Sequence, residues 1–346
     1  MSKTTIAVIA AVSAGSGAAI TAAMYSLRSG KPADLPATVP SVGSATTKVP
    51  GPMASQVRAP PLPPPAAAGA RKAGADAPVD PAGLFQYGFP GPVSDLAVRS
   101  ALVSAYDRRL RNPHWVAEHI TAASLESREG DRQNSTFVED EAMPEAFRAR
   151  LRDYFRSGFD RGHQVPAADA RWSQTAMDET FFLSNMCPQV GQGFNRDYWA
   201  HLEDFVRRLT ARYPSVRVVT GPLYLPKRDE TDGKWYVKYE MIGSPPNVAV
   251  PTHFYKVIYA ETVAAGSPAA DAAPVALGAF VLPNAPIPNS RPLIDFEVPL
   301  EIVERAAGLE FASKLPAYRR RRLCADTTCS LVVREFSDRQ KQQKKK

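Results

Sequence analysis

With 346 residues, 44% of them hydrophobic, the chain is long enough to bury a sizeable core, although its two ends lack the patterned apolar residues to join one. Three cysteines exclude a disulfide-built scaffold, and no Walker loop, dinucleotide fingerprint or internal repeat is present. The net charge of +7 and pI ≈ 9.3 favour polyanionic partners, nucleic acid or an acidic membrane surface, but much of the excess sits in Arg319–Arg322 and Lys344–Lys346.

Thr4 to Leu27 carries no charge and is flanked by Lys3, Arg28 and Lys31. About 20 apolar residues cross a bilayer core, so residues 1–31 read as an uncleaved membrane anchor. A cleaved secretory signal and the apolar part of a mitochondrial presequence are the alternatives. Residues 32–83 are dominated by Pro, Ala, Gly and Ser, with PPLPPP at Pro60–Pro65. Such text cannot bury enough apolar surface to offset its ordering entropy, so it reads as a disordered, locally polyproline-II tether. A chance PxxP match for SH3 or WW domains lies within it.

The globular part, 84–336, opens with strand text at Val98–Asp107, a turn at Arg111–Pro113 and a second strand around Trp115–Ala117. Phe155–Arg161 is expected as a strand, Ser173–Glu179 as a short helix and Phe181–Met186 as a returning strand. Asn195 is expected to open a helix whose Tyr198, Trp199, Leu202, Phe205, Val206 and Leu209 form one buried stripe. Strands follow at Val216–Leu225, Trp235–Ile242, Phe254–Glu261 and Val275–Leu282. Val263–Asp271 reads as a mobile insertion loop, Pro299–Leu309 and Phe311–Leu315 as short helices, Ser330–Phe336 as a closing strand and 337–346 as a basic tail. Strands and helices in this order indicate an α+β fold.

Chemistry concentrates between Asp160 and Glu203. His163 is an imidazole able to take a proton near neutral pH. The amides of Asn185 and Asn195 and the carboxylate of Glu203 offer oxygens suited to a hard cation that keeps several waters, and Arg161 is a phosphate clamp. Each has a plainer reading: Asn195 as a helix N-cap with Phe194 and Trp199 as a hydrophobic staple, and Arg161 as the ion-pair partner of Asp160. His114, His119 and His253 read as structural, and His201, off the apolar stripe, as solvated. Cys187 reads as packing. Cys324 and Cys329 are able to bridge in an oxidising compartment, with free thiols the preferred expectation. The Arg319–Arg322 run is either a solvated face or a nonspecific phosphate contact.

Asp160-Arg161-Gly162-His163 resembles the DRGH signature of the DNA/RNA non-specific endonucleases. Arg171-Trp172-Ser173-Gln174, Phe182-Leu183-Ser184-Asn185, Pro188-Gln189, Thr220-Gly221-Pro222-Leu223-Tyr224 and Val250-Pro251-Thr252-His253-Phe254-Tyr255-Lys256-Val257 are most similar to the mitochondrial endonuclease G branch. The resemblance spans roughly residues 84 to 336. It implies a ββα-metal fold with a central antiparallel sheet flanked by helices, and an endonuclease that cuts DNA and RNA to 5′-phosphate ends. His163 would then be the general base and Asn195 the ligand of Mg²⁺, with Mn²⁺ an alternative. Arg161 and Arg132 would contact phosphate, and Asn185 and Glu203 would steady the histidine and the hydration of the metal. It further implies a homodimer in mitochondria, at the inner membrane or in the intermembrane space. The competing class is a membrane-tethered nucleic-acid-binding protein with a catalytically silent nuclease fold.

Overall fold

Aromatic and β-branched residues fill His253–Glu261, and this strand lies near the middle of the main sheet. Both of its faces are covered: Phe254, Ile258 and Ala260 pack into one cluster with Trp199 and Leu202, while Tyr255, Val257 and Tyr259 pack into another with Trp115 and Phe311. A strand buried on both sides needs an almost unbroken apolar run, which this segment has. The structure, a computed structural model, describes residues 81–89 and 95–333. The expected anchor, nearly all of the tether, the basic tail and the last residues of the expected closing strand lie outside them.

The strands in chain order are β1 (Asp95–Val98), β2 (Leu102–Asp107), β3 (Asn112–Ile120), β4 (Phe159–His163), β5 (Met186–Val190), β6 (Ser215–Leu223), β7 (Lys227–Arg228), β8 (Trp235–Tyr236), β9 (Met241–Ile242), β10 (Val248–Ala249), β11 (His253–Glu261), β12 (Val275–Pro283) and β13 (Arg320–Arg322). Seven form the main sheet in the order β1-β2-β3-β6-β11-β12-β13. Its pairings are antiparallel except for β12 with β13. The short ladder β4–β5 stands apart, with Arg161 opposite Pro188 and His163 opposite Met186. The helix Tyr198–Leu209 follows it and lays Trp199, Leu202, Phe205 and Val206 on the sheet. The α+β expectation holds, with a strand–strand–helix unit docked on a central, mostly antiparallel sheet.

Several local expectations change. Val98–Asp107 is a hairpin of two strands rather than one, and Trp235–Ile242 shrinks to two dipeptide strands. The returning strand starts at Met186, because Leu183–Asn185 forms a 3-10 turn. No helix forms over 311–315, and 331–333 make no strand. His201 is buried rather than solvated, because the helix sinks deeper than its narrow stripe implied. Cys324 and Cys329 form a disulfide, against the preference for free thiols. The short helix Leu323–Asp326 brings their Cα atoms to 5.2 Å, within bridging range. The arginine run serves the fold: Arg319 donates to the carbonyls of Ala270 and Ala273, Arg320 to those of Ala312 and Leu315, and Arg322 to Glu297. No helix among the described residues is long and apolar enough to cross a membrane.

Gly162 sits where the β4–β5 ladder has no room for a side chain. A Cβ there would overlap the side chain of Gln189, which is itself wholly buried. Gly162→Ala is therefore expected to lower stability by about 1–3 kcal/mol, the usual cost of overpacking. Chemical denaturation checks this, and an unchanged midpoint would mean that Gln189 can swing away freely.

Candidate active site

His163 is the last residue of β4, and Asn185 holds the chain immediately after it. The Gln164 N–H donates to the Asn185 carbonyl at 2.9 Å and the Val165 N–H to Asn185 Oδ1 at 3.0 Å. Asn185 Nδ2 in turn donates to the carbonyls of Val165 and Thr180 at 3.0 and 2.8 Å. This buried amide is thus committed to backbone on both sides. It positions the end of β4, and no hydrogen bond runs from its side chain to the imidazole.

The imidazole packs against a pair of touching phenyl rings, Phe137 at 5.6 Å and Phe181 at 4.8 Å between centroids, the two phenyls themselves 5.0 Å apart. It is 8% exposed, and its Nε2 has no hydrogen-bond partner among the described residues. The same two rings carry guanidinium groups. Arg161 lies over Phe137 at 4.1 Å and Arg132 over Phe181 at 5.4 Å, distances typical of cation–π contacts. Burial, reinforced by the charges of Arg132 and Arg161, pushes the His163 pKa down to about 3. The ring is therefore neutral near pH 7, able to accept a proton, and two cations flank it. Arg161 makes no ion pair among the described residues, so the expected alternative, a bridge to Asp160, is not formed.

Asp160 is engaged elsewhere. It accepts from Arg196 through Nε at 2.8 Å and Nη2 at 2.6 Å, and from Asn195 Nδ2 at 2.8 Å. Burial raises the Asp160 carboxyl, but the hydrogen bonds from Arg196 and Asn195 outweigh it and hold the group below the usual carboxylate range. Only an NH₂ group can donate to this carboxylate, so the bond fixes which way the Asn195 amide points. Its oxygen remains as an acceptor. The N-cap reading fails here, since Asn195 ends the turn Gly191–Asn195 and the helix begins at Tyr198 with Asp197 at the cap position. Phe194 and Trp199 still meet, at 5.5 Å.

Glu203 lies one turn into that helix. Burial pushes its carboxyl up to about 7, although Arg207, Lys256 and Arg132 pull it down. Around it stand groups that the sequence reading did not single out. Arg207 donates to Asp169 at 2.8 Å, and the fully buried Lys256 donates to Thr220 at 2.7 Å. Glu118 is pushed well above the ordinary range by burial and by Asp169 beside it. Charged residues inside otherwise apolar strands, Glu118 in β3 and Lys256 in β11, were the available signal.

The one free oxygen of Asn195, aimed by Asp160, is a hard-oxygen donor of the kind a largely hydrated divalent cation takes as a protein ligand. Among the described residues no group of three or more His, Cys, Asp or Glu side chains is arranged to hold a metal. A neutral imidazole, two guanidiniums and a hard-oxygen donor suit water attack on a phosphodiester.

Comparison with known proteins bears on this arrangement. The family model described as DNA/RNA non-specific endonuclease matches residues 80–318. The chain is 60% identical over 260 residues to a mitochondrial nuclease of Saccharomyces cerevisiae, covering 75% of this chain and 78% of that protein. It is 47% identical over 234 residues to a mitochondrial endonuclease G of Homo sapiens, covering 68% and 74%. Among solved structures, a chain from an EndoG/EndoGI complex aligns with a TM-score of 0.65 and 46% identity, over 71% of this chain and 99% of that one. The match covers well over half of the chain and includes the DRGH strand, Asn195 and Glu203: the protein belongs to the DNA/RNA non-specific endonuclease family.

Proposed function

We infer that this nuclease hydrolyses DNA and RNA with His163 as general base, supported by a divalent cation at Asn195. The observation that carries this reading is the buried, neutral His163 ring packed against Phe137 and Phe181, each bearing a guanidinium. A phosphodiester drawn between Arg132 and Arg161 has its non-bridging oxygens neutralised, and a water beside His163 loses its proton to the ring as it attacks phosphorus. Asn185 keeps the ring in place through the backbone that follows it. Asn195 would hold the cation, Mg²⁺ or Mn²⁺, with Glu203 steadying its bound waters, and the cation when bound stabilises charge on the departing 3′ oxygen. Attack on phosphorus by water uses no 2′-hydroxyl, in keeping with action on both nucleic acids, and leaves 5′-phosphate ends.

One plasmid-degradation assay tests the two central residues. His163→Ala is expected to cut kcat by about 10²–10⁴ without weakening nucleic-acid binding. Asn195→Ala is expected to lose its response to added Mg²⁺. A His163→Ala enzyme at wild-type rate would end the proposed role of this histidine, and a wild-type chain that leaves plasmid intact with Mg²⁺ would favour the silent-binder reading.

The two arginines also set the pH dependence. His163 must be neutral to act, and its depressed pKa places the acid limb of kcat/KM well below the ordinary imidazole value of about 6.5. A bound phosphate offsets the two repelling cations and raises the ring's basicity, so the acid limb of kcat lies at higher pH than that of kcat/KM. Arg161→Ala removes a repelling charge and moves the kcat/KM limb upward. A limb that stays put or moves down in this variant would separate Arg161 from the histidine.

The mitochondrial address of the named relatives and the uncharged Thr4–Leu27 segment support a mitochondrial enzyme held at a membrane. Carbonate extraction of mitochondrial membranes should leave the full-length chain in the pellet. A soluble mature protein lacking this segment would make it a cleaved targeting signal.

A further inference from the structure

Just upstream of β4 lies a surface that the chemistry above does not use. Phe155 is 72% exposed, far more than an aromatic side chain of a folded core, while its neighbour Tyr154 is buried among Leu183, Met186 and Ile242. The next residue, Arg156, has φ 54°, a left-handed conformation that a non-glycine residue adopts at a cost of about 1 kcal/mol or more. That turn holds the Phe155 ring outward, with the Arg156 guanidinium 5.0 Å from its centroid. Arg152 is exposed beside it, on the same turn of helix, Leu151–Tyr154.

Two of the nearby carboxylates are held in ion pairs, and the other two, Asp153 and Glu139, are hydrogen-bonded to neutral N–H groups. Asp153 accepts from the Arg150 N–H and from Asn247, Glu145 pairs with Arg150, and Asp160 pairs with Arg196. Arg152 and Arg156 make no ion pair among the described residues. An exposed ring beside unpaired guanidiniums, on the helix end and turn that precede the strand carrying Arg161 and His163, matches a single nucleic-acid strand: bases stack on the ring and phosphates meet the arginines. β4 carries the chain about 13 Å from Phe159 to His163, so a strand lying here would be held a few nucleotides from the scissile bond.

We propose that Phe155, Arg152 and Arg156 form an accessory single-strand subsite that grips substrate beyond the cleaved phosphate. The proposal rests on the nuclease reading but predicts a separate effect, on the length dependence of KM. Phe155→Ala, Phe155→Trp and Arg152→Ala/Arg156→Ala are compared with wild type in the full chain, on long poly(dT) and on a chromogenic thymidine phosphodiester too short to reach the subsite. Phe155→Ala and the double arginine variant should raise KM for poly(dT) about tenfold, a loss within the range of one base-on-aromatic stack. Their kcat, and both constants on the short substrate, should be unchanged, and Phe155→Trp should keep wild-type KM. Melting temperatures identify any variant that has misfolded; Phe155→Trp against Phe155→Leu then separates stacking from mere bulk. Equal KM for poly(dT) in wild type and Phe155→Ala overturns the subsite, as does an equal loss on both substrates. A Phe155→Ala chain with normal KM that sediments as a smaller species than wild type would assign the ring to contact with a second copy instead. A wild-type chain that fails on the short substrate as well would count against the nuclease reading, not against the subsite.

Discussion

The candidate site depends on one carboxylate. Asp160 receives Arg196 and Asn195 together, which joins the β4 strand to the turn that precedes the helix Tyr198–Leu209. That single junction has two effects. It closes the strand–strand–helix unit, and it turns the Asn195 amide so that its oxygen is left over. A supporting residue of this kind orients a ligand without touching the metal or the substrate. Removing it would free Asn195 to rotate and break the ion pair with Arg196, so geometry and local charge would change together.

Burial of charge is the second organising constraint. His163 responds to burial and adjacent cations by staying neutral. Linked to it through Arg132, the groups Glu118, Asp169, Glu203, Lys256 and Arg207 lie close enough to influence one another. Desolvating so many charges is costly unless they compensate one another; Arg207 pairs with Asp169, and Lys256, hydrogen-bonded to Thr220, is compensated by Glu118 and Glu203 nearby. The result is a platform under Glu203 whose protonation is sensitive to small electrostatic changes near neutral pH.

The sheet on which all this rests is mostly apolar, and its strands were readable because their composition is extreme. Val275–Pro283 and His253–Glu261 can be little else but buried strands. The local errors fall where no single periodicity operates. Phe181–Met186 is apolar enough for a strand, yet Asn185 draws its first residues into a 3-10 turn by bonding backbone at Thr180 and Val165. His201 looked solvated because helical spacing places it off the stripe, but the helix is covered on more of its circumference than a stripe of that width implies. The Arg319–Arg322 run looked like a charged face or a phosphate contact; Arg319 and Arg320 instead satisfy backbone carbonyls and Arg322 pairs with Glu297, while Arg321 stays exposed.

The sequence by itself determined the α+β class, the central strands, the DRGH strand with Asn195 and Glu203 downstream, and through them the family. Those are properties of local pattern and of residues in a set order, which a linear text retains. Only the tertiary structure decided which partner each polar group takes. Asp160 was adjacent to Arg161 in sequence but bonds Arg196, on the far side of a loop; Asn195 had the position of a cap but is tied to that same carboxylate. Phe137 and Phe181 gave no sign of packing against His163, and Phe155 no sign of standing in solvent beside a buried Tyr154. Such choices depend on distances between segments remote in the chain and on the high cost of leaving a buried charge or donor unpaired, and neither is written in local sequence.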